Sequence, residues 1–399
     1  MNQHYDTLIV GGGIVGLATA YRLTERFPRQ RVAVLEKEAT VGEHQTGHNS
    51  GVLHTGIYYK PGTLRATNCR AGKLAMQQFC QEQGLPFEIC GKVIVAIDEA
   101  ELPLLDNIYQ RGQQNGVACE LIDAARLKDL EPLAAGMRAI HVPEAGIVNY
   151  RQVCLRLAEL LRERGVQIFL GTRFLHLRHH GDDLVIETTQ GEHHAQFVVT
   201  CAGLQSDRVA RHTGEPTHAQ IVPFRGEYYE LKPDAEHLCR NLIYPVPNPN
   251  FPFLGVHFTR MIEGGVECGP NAVLAFAREG YRKSDINVFD LTEALCYRGF
   301  QRLAWKYWRV GLGELHRSFS KAAFVRALQR LMPEIRSEHL VPARAGVRAQ
   351  AVTLDGALAD DFLIEGSDCV INICNAPSPA ATSSLNIGSL IVDRLAERF

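Results

Sequence analysis

Three sets of residues in this sequence have the types and spacing for chemistry. The first is Gly11, Gly13 and Gly16 in GxGxxG spacing, with Glu36 standing 20 residues after Gly16. Glycine permits a tight turn at Gly11, lets a pyrophosphate approach at Gly13 and lets helix pack on strand at Gly16. The amide groups that open the helix, at Ile14 and Val15, face the phosphates. Glu36, with Lys37 beside it, stands where a ribose diol would donate. The chemistry is dinucleotide binding. The second set is the stretch 44–59, HQTGHNSGVLHTGIYY, rich in histidine and glycine and almost without charge. The third is Arg225, His257 and Arg260, polar residues within the apolar runs of 223–269. A buried unpaired arginine is very costly. Arg225 and Arg260 therefore pair with acids (Glu227 and Glu263 are near in sequence) or bind an anionic ligand.

Around the first set the elements are clear. The apolar, β-branched run 7–10 reads as a buried strand, 14–26 as a helix stopped by Pro28, and 32–35 as a second buried strand. A motif this near the start suits an FAD enzyme with an amino-terminal nucleotide fold. Gly311 and Gly313 begin a second match, but His316 takes the third glycine position, so one dinucleotide site is expected and no NAD(P)H site. The stretch 44–59 then runs along a flavin ring, with His48, Asn49, Ser50 and Gly51 against it, or is a turn-rich connector with incidental histidines.

Helices are expected over 64–83, 102–115 and 150–164, strands over 92–97 and 167–170, and three short strands within 174–200. The last leads into Cys201, Ala202 and Gly203, which set backbone against the dinucleotide or simply end the strand. Strand-like runs from 223 to 269 lack helix-length crossovers and suggest an antiparallel sheet. The stretch 291–331 is helical and basic: Arg298, Arg302 and Lys306 recur every four residues, with Arg309 next, while Phe300, Leu303, Tyr307 and Trp308 lie on another side. Such a helix lies on an anionic membrane or packs its apolar side on its own domain. A strand over 370–374 leads into Asn375, Ala376, Pro377, Ser378 and Pro379, which open a helix near 380–398. Its amino terminus suits negative charge on a reduced flavin.

Composition bounds the rest. A chain of 399 residues has room for two or three domains, and 46% hydrophobic with 22% charged residues describes an ordinary globular protein. A net charge of −2 gives no global field for nucleic acid. Eleven cysteines, an odd number with no CxxC pair, fit reduced cytosolic thiols rather than a disulfide framework or a structural zinc site. No signal-peptide pattern and no apolar run of about 18 residues is present, so a cytoplasmic protein without a membrane span is expected.

Together these motifs resemble the L-2-hydroxyglutarate dehydrogenases (also called oxidases), FAD enzymes of the D-amino-acid oxidase and glycine oxidase superfamily. The stretches that carry the resemblance are HQTGHNSGVLHTGIYY from His44, PFRGEYY from Pro223, NLIYPVP from Asn241, FPFLGVHFTR from Phe251, GPNAVLAFAREGY from Gly269, AGVRAQAV from Ala345 and NAPSPAATSS from Asn375. They span nearly the whole chain, and HNSGV and NAPSPAATS are far more specific than GxGxxG.

The resemblance implies an α/β fold: an FAD-binding Rossmann-like domain with an inserted α+β substrate domain built on an antiparallel sheet. The FAD domain would comprise 1–86, 147–222 and 344–399, and the substrate domain 87–146 and 223–343. Arg348 stands where the superfamily binds the substrate's α-carboxylate, and His257 where it has an active-site tyrosine. Oxidising an alcohol releases an O–H proton as hydride leaves carbon, so a histidine base, His257 or His54, suits it. Arg260, Arg225 or Lys60 would hold a distal carboxylate. The implied reaction converts L-2-hydroxyglutarate to 2-oxoglutarate by hydride transfer to flavin N5. Electrons then pass to a membrane quinone, with the protein peripheral on the cytoplasmic face of the inner membrane. The rival enzyme is an oxygen-reducing amino-acid or secondary-amine oxidase, and a further rival is a flavoprotein whose role is docking.

Overall fold

The computed structural model describes residues 4–181, 183–215, 217–248 and 254–399. Among them, two eight-stranded sheets carry the chain. At the centre of the first is His4–Val10, paired in parallel with Val32–Leu35 on one side and Gly191–Thr200 on the other, and Gln167–Phe169 extends it beyond Val32–Leu35. Strands of a parallel sheet are covered on both faces and so read as continuous apolar runs; Leu8, Ile9, Val34, Val198 and Val199 are fully buried. One face is covered by helices Ile14–Arg26, Leu64–Gln83, Tyr150–Glu163 and Ala380–Ala396, through Leu17, Met76, Leu157 and Leu385.

Gly191–Thr200 is shared between two partners. Its start pairs antiparallel with Asp183–Thr188, itself paired with Phe174–His180, and its end at Val198, Val199 and Thr200 pairs in parallel with Val370–Asn375. The carboxy-terminal part of the chain thereby reaches the same sheet edge as the amino-terminal turn. The stretch at 144–150 is more than a return loop: Gly146–Val148 is a strand between Val52–Leu53 and Phe87–Glu88.

The second sheet runs in the order Leu340–Pro342, Tyr229–Leu231, Val266–Gly269, His257–Arg260, Leu242–Pro245, Lys92–Ala96, Arg138–Val142 and Glu120–Asp123. All neighbours are antiparallel except Leu242–Pro245 and Lys92–Ala96, which run parallel. A parallel pair needs a long crossover, and here that crossover contains four strands of the first sheet. Among the strand-like runs expected from 223 to 269, the one at His257–Arg260 begins at His257, and 249–253 lie outside the described residues. A third sheet pairs Ala219–Gly226 with Gly346–Thr353 and Val273–Leu274. The basic stretch 291–331 is three helices, Val288–Cys296, Arg298–Phe319 and Lys321–Gln329, the second kinked at Tyr307.

Candidate active site

A cavity of about 920 Å³ lies where the sheets meet, within the roughly 300–1,000 Å³ of ligand and cofactor pockets. Its nucleotide end is made by the glycine turn. Gly11 has φ +112, and a side chain there would strike the Cys201 carbonyl; one at Gly16 would strike the Gly11 carbonyl. The protein's own backbone requires these two glycines. Gly13 differs. Its φ is −77, and a Cβ there meets nothing nearer than Thr46 Oγ1 at 3.6 Å. The fold does not need a glycine at that point, but a phosphate pressed against the backbone would.

Gly13 caps the helix Ile14–Arg26 without a side-chain hydrogen bond, and Gly13, Ile14 and Val15 line the cavity. The opening amides of the helix, that of Ile14 already donating to Thr46 Oγ1 at 3.1 Å, and the dipole's positive end therefore face it. Buried Glu36 accepts the Gly12 and Glu38 amides, each at 2.8 Å. A carboxylate oxygen has two lone pairs, so both oxygens retain capacity for a ribose diol.

Lys37 is ion-paired with Glu38 and, at 3.0 Å, with Glu279, and its Nζ lies 2.7 Å from His44 Nε2. The Lys37 hydrogen bond pulls the Glu38 carboxyl down to about 2. Tyr281 stacks on His48 at 4.0 Å, so the segment 279–281 closes over the histidine stretch. Cys201, Ala202, Gly203, His48, Asn49 and Ser50 line the walls, as do Asn375, Pro377, Ser378 and Pro379. The Asn375 Nδ2 group donates to the Ala359 and Asp361 carbonyls, while its Oδ1 is buried without a partner. An orphaned acceptor on the cavity wall is another mark of a donor-bearing ligand. Gly16, inside the helix against the Gly11 carbonyl, and Gly51, against the Val148 carbonyl, lie behind the wall rather than lining it.

Strand alternation builds the other end. Side chains on a strand alternate faces with period two, and residues directly opposite on neighbouring strands share a face. His257 thus shares a face with Thr259 and, across the pair, with Tyr244, whereas Phe258 and Ile243 turn into the core. The His257 ring lies 4.1 Å from that of Tyr244. Its Nδ1 is 2.9 Å from the Gly255 carbonyl. A carbonyl only accepts, so Nδ1 carries the hydrogen and Nε2 keeps its lone pair.

Burial pushes the His257 imidazole down to about 3; the Gly255 bond opposes this, and the charges of Arg348 and Lys92 add to it. His54, on the same cavity, is also driven to about 3 by burial, then by Lys92, His257 and Arg65. Both rings are neutral at pH 7 and need lose no proton before accepting one.

Arg348 lines the cavity from Gly346–Thr353, opposite Phe224. Arg225 follows Phe224 on the partner strand, so alternation turns it to the other face, where Glu227 at 2.9 Å and the Arg282 carbonyl at 3.2 Å hold it. Arg260 is three residues from His257, again on the opposite face, and pairs with Glu88. Glu263, its expected partner, instead accepts from Asn149 and Gln152. Lys60 is exposed outside the cavity. The three residues expected to hold a distal carboxylate thus stand elsewhere, two because of strand parity and one because it points to solvent.

Sequence alone does not single out Tyr58, Tyr244, Arg65 or Lys92. Tyr58 and Tyr244 sat in quoted stretches without a role. Lys92 follows Gly91 at the start of the strand expected over 92–97. Its parity with Ile94, a core residue, is the signal that marks it as buried.

Residues 6–394 match the family model described as FAD dependent oxidoreductase. The chain is 50% identical over 397 residues to the L-2-hydroxyglutarate dehydrogenase of Indibacter alkaliphilus, covering 99% of this chain and 100% of that one. It is 46% identical to the mitochondrial L-2-hydroxyglutarate dehydrogenase of Nematostella vectensis, covering 100% of this chain and 92% of that one. Among solved structures, the FAD-bound, dithionite-reduced L-alpha-glycerophosphate oxidase of Mycoplasma pneumoniae superposes with a TM-score of 0.82 at 20% identity, over 99% of this chain and 95% of that one. At that identity the likeness shows the fold. FAD is the cofactor that the glycine turn, the bare Gly13 and the volume of the cavity accommodate. The chain belongs to the L-2-hydroxyglutarate dehydrogenase family of FAD-dependent oxidoreductases.

Proposed function

We propose that this enzyme oxidises L-2-hydroxyglutarate to 2-oxoglutarate, with Arg348 holding the C1 carboxylate and His257 accepting the hydroxyl proton. The observation that carries the reading is the neutral His257 imidazole in the field of the Arg348 guanidinium on one cavity wall. Relatives of that name at 50% and 46% identity support it.

Gly11, Gly13, Ile14 and Val15 would hold the pyrophosphate and Glu36 the ribose, while the start of the helix Ala380–Ala396 would meet the ring. When bound, FAD supplies the acceptor for the hydrogen and electron pair that leave C2. Arg348 offers a planar fork to the carboxylate, which fixes C2 rather than merely attracting the anion. The same carboxylate cancels part of the positive field that depresses His257, so substrate binding strengthens its own base. The proton leaves the hydroxyl for His257 Nε2 as C2 becomes a carbonyl carbon. His54, depressed by the same causes, is the second candidate base.

For the electrons, a membrane quinone is the proposed acceptor, with the protein resting on the cytoplasmic face of the inner membrane. Support comes from helices Val288–Cys296 and Arg298–Phe319, where Trp305 is 82% and Phe319 75% exposed, with Phe289 and Trp308 nearby. Arg298, Arg302, Lys306 and Arg309 are exposed beside them. No helix of the described residues is long and apolar enough to cross a membrane. Aromatics ringed by cations suit an anionic leaflet, each cation contributing about 1 kcal/mol. The division into 1–86, 147–222 and 344–399 against 87–146 and 223–343 is part of the same proposal, supported by the segregation of these segments' strands into the two large sheets.

Anaerobic titration tests the reaction. L-2-hydroxyglutarate should bleach the flavin absorbance, and its D isomer and glycine should not. Bleaching by glycine alone would favour the amine-oxidase alternative. For the membrane, the protein should cosediment with anionic vesicles at low salt and release at high salt; indifference to such vesicles at low salt would rule this surface out.

A further inference from the structure

Among the described residues the buried cations are ion-paired, with one exception. Arg278 bonds Asp207 and Glu293, Arg225 bonds Glu227, and Lys73 bonds Glu144 at 3.0 Å. Lys92 is 2% exposed. Its Nζ lies 4.8 Å from the Tyr58 ring centroid and 4.9 Å from that of Tyr244. Among the described residues no carboxylate stands within ion-pair reach, and the nearby Cys69 thiol, pushed up to about 12 by burial, carries no charge at neutral pH. Two aromatic faces return only part of what desolvating an ammonium costs. An anion completes such a site.

The cavity is where that anion would come from. Lys92 pairs in register with Leu242, as Tyr244 does with Ile94 on the same face, and Tyr244 contacts the His257 ring. Tyr58 and Tyr244 both line the cavity, and the Tyr58 hydroxyl is buried without a hydrogen-bond partner. Lys92 and His257 lie two strands and two residues of register apart, roughly 12 Å at about 4.8 Å per strand and about 3.3 Å per residue. Three bonds from C2 to a C5 carboxyl, plus a hydrogen bond at each end, span roughly the same distance. Lys92 itself stands behind the two rings, outside the lining, and Arg65, which does line the cavity, is engaged by the Ser378 carbonyl at 2.6 Å and the Asp360 carbonyl at 3.0 Å, beside the flavin-side loop.

We propose that the Tyr58–Lys92–Tyr244 cluster recognises a second carboxylate on the substrate, the Tyr58 hydroxyl donating to it and the Lys92 ammonium supplying the opposing charge. This rests on the reading of the reaction as oxidation of a dicarboxylic 2-hydroxy acid.

The test compares L-2-hydroxyglutarate with L-2-hydroxypentanoate, which has the same chain length but no second carboxylate, on the FAD-loaded enzyme. Lys92→Met should cut the kcat/KM preference for the diacid by about 10²-fold, mainly through KM. Tyr58→Phe removes only an unpartnered hydroxyl, so the fold should survive, and the preference should fall by about tenfold. Glutarate and pentanoate binding, followed by flavin absorbance without turnover, should show the same loss for glutarate. An equal loss on both substrates would make Lys92 merely structural and overturn the proposal. So would an unchanged glutarate affinity in Tyr58→Phe, which decides the matter even where Lys92→Met fails to fold. Should the wild type leave L-2-hydroxyglutarate unoxidised, the reaction assignment falls, while the glutarate-to-pentanoate binding ratio still tests the cluster.

Discussion

The two ends of the cavity are built on different plans. The nucleotide end is short-range: Gly11, Gly13, the helix start and Glu36 follow one another within a single strand–turn–helix–strand unit. Its recognition groups are largely backbone amides, which any sequence supplies once the turn forms. The substrate end gathers His54, Tyr244, His257 and Arg348 from distant segments, with Lys92 behind Tyr244, and its groups are side chains whose facing depends on strand register. The first end is shaped by what is left out at Gly13, the second by charge held out of water.

The sharpest break of the comparison is at Gly13. Valine there suits the extended backbone at φ −77, and its Cβ meets the protein only at ordinary contact distance, 3.6 Å from Thr46 Oγ1, so the chain should fold with unchanged far-UV dichroism. Its methyl groups would occupy the phosphate position, and the protein should purify colourless. Stoichiometric FAD in Gly13→Val would sink the phosphate role of this glycine. Arg348→Ala is the mirror case. It should keep FAD yet lose roughly 10²–10³-fold in kcat/KM, the worth of a bidentate charge-assisted pair of about 3–4 kcal/mol. Lysine should rescue little because it lacks the fork. Near-normal kinetics in Arg348→Ala would mean that another group holds the α-carboxylate.

How much was legible follows from the same contrast. The glycine turn, its strands and Glu36 were readable because each depends on neighbours in the chain. His257 stood out locally as a polar residue in an apolar run, but its proposed role, like that of Arg348, came only through resemblance. Arg225 and Arg260 looked equally functional as polar residues in apolar runs, and strand parity sent both to the far face. The converse holds for Lys92: strand parity signals its burial, but its company, Tyr58 and Tyr244, reaches it from elsewhere in the chain. The helix Arg298–Phe319 was readable as a helix, but only the structure shows its tryptophans uncovered.

A smaller effect separates the two histidines. His257→Ala should slow anaerobic flavin reduction by about 10²-fold while FAD stays bound, the usual worth of a general base. His54→Ala should slow it less, because the His257 Nε2 lone pair remains. Equal and negligible effects in both would place proton removal elsewhere and weaken the case for an alcohol over an amine.

The gentlest test is pH. His257 is depressed to about 3, so its base form is present at every pH above that, and kcat/KM should show no acid limb near the ordinary histidine range. Lys92 is pulled down to about 8 by burial, with only the Cys69 thiol opposing. Around it stand Tyr58, Tyr244, Cys69, His54 and His257, and none is an anion at neutral pH. A lysine is cationic below its pKa. The charge that attracts a second carboxylate is therefore present below about pH 8 and lost as pH rises through it. For L-2-hydroxyglutarate, kcat/KM should fall by up to about tenfold per unit on that alkaline side. In kcat the limb should move upward, because a bound carboxylate favours the ammonium. L-2-hydroxypentanoate, with no second carboxylate to lose, should show no such limb. A limb of the same depth for both substrates would assign it to another group and return Lys92 to the ranks of buried structural residues.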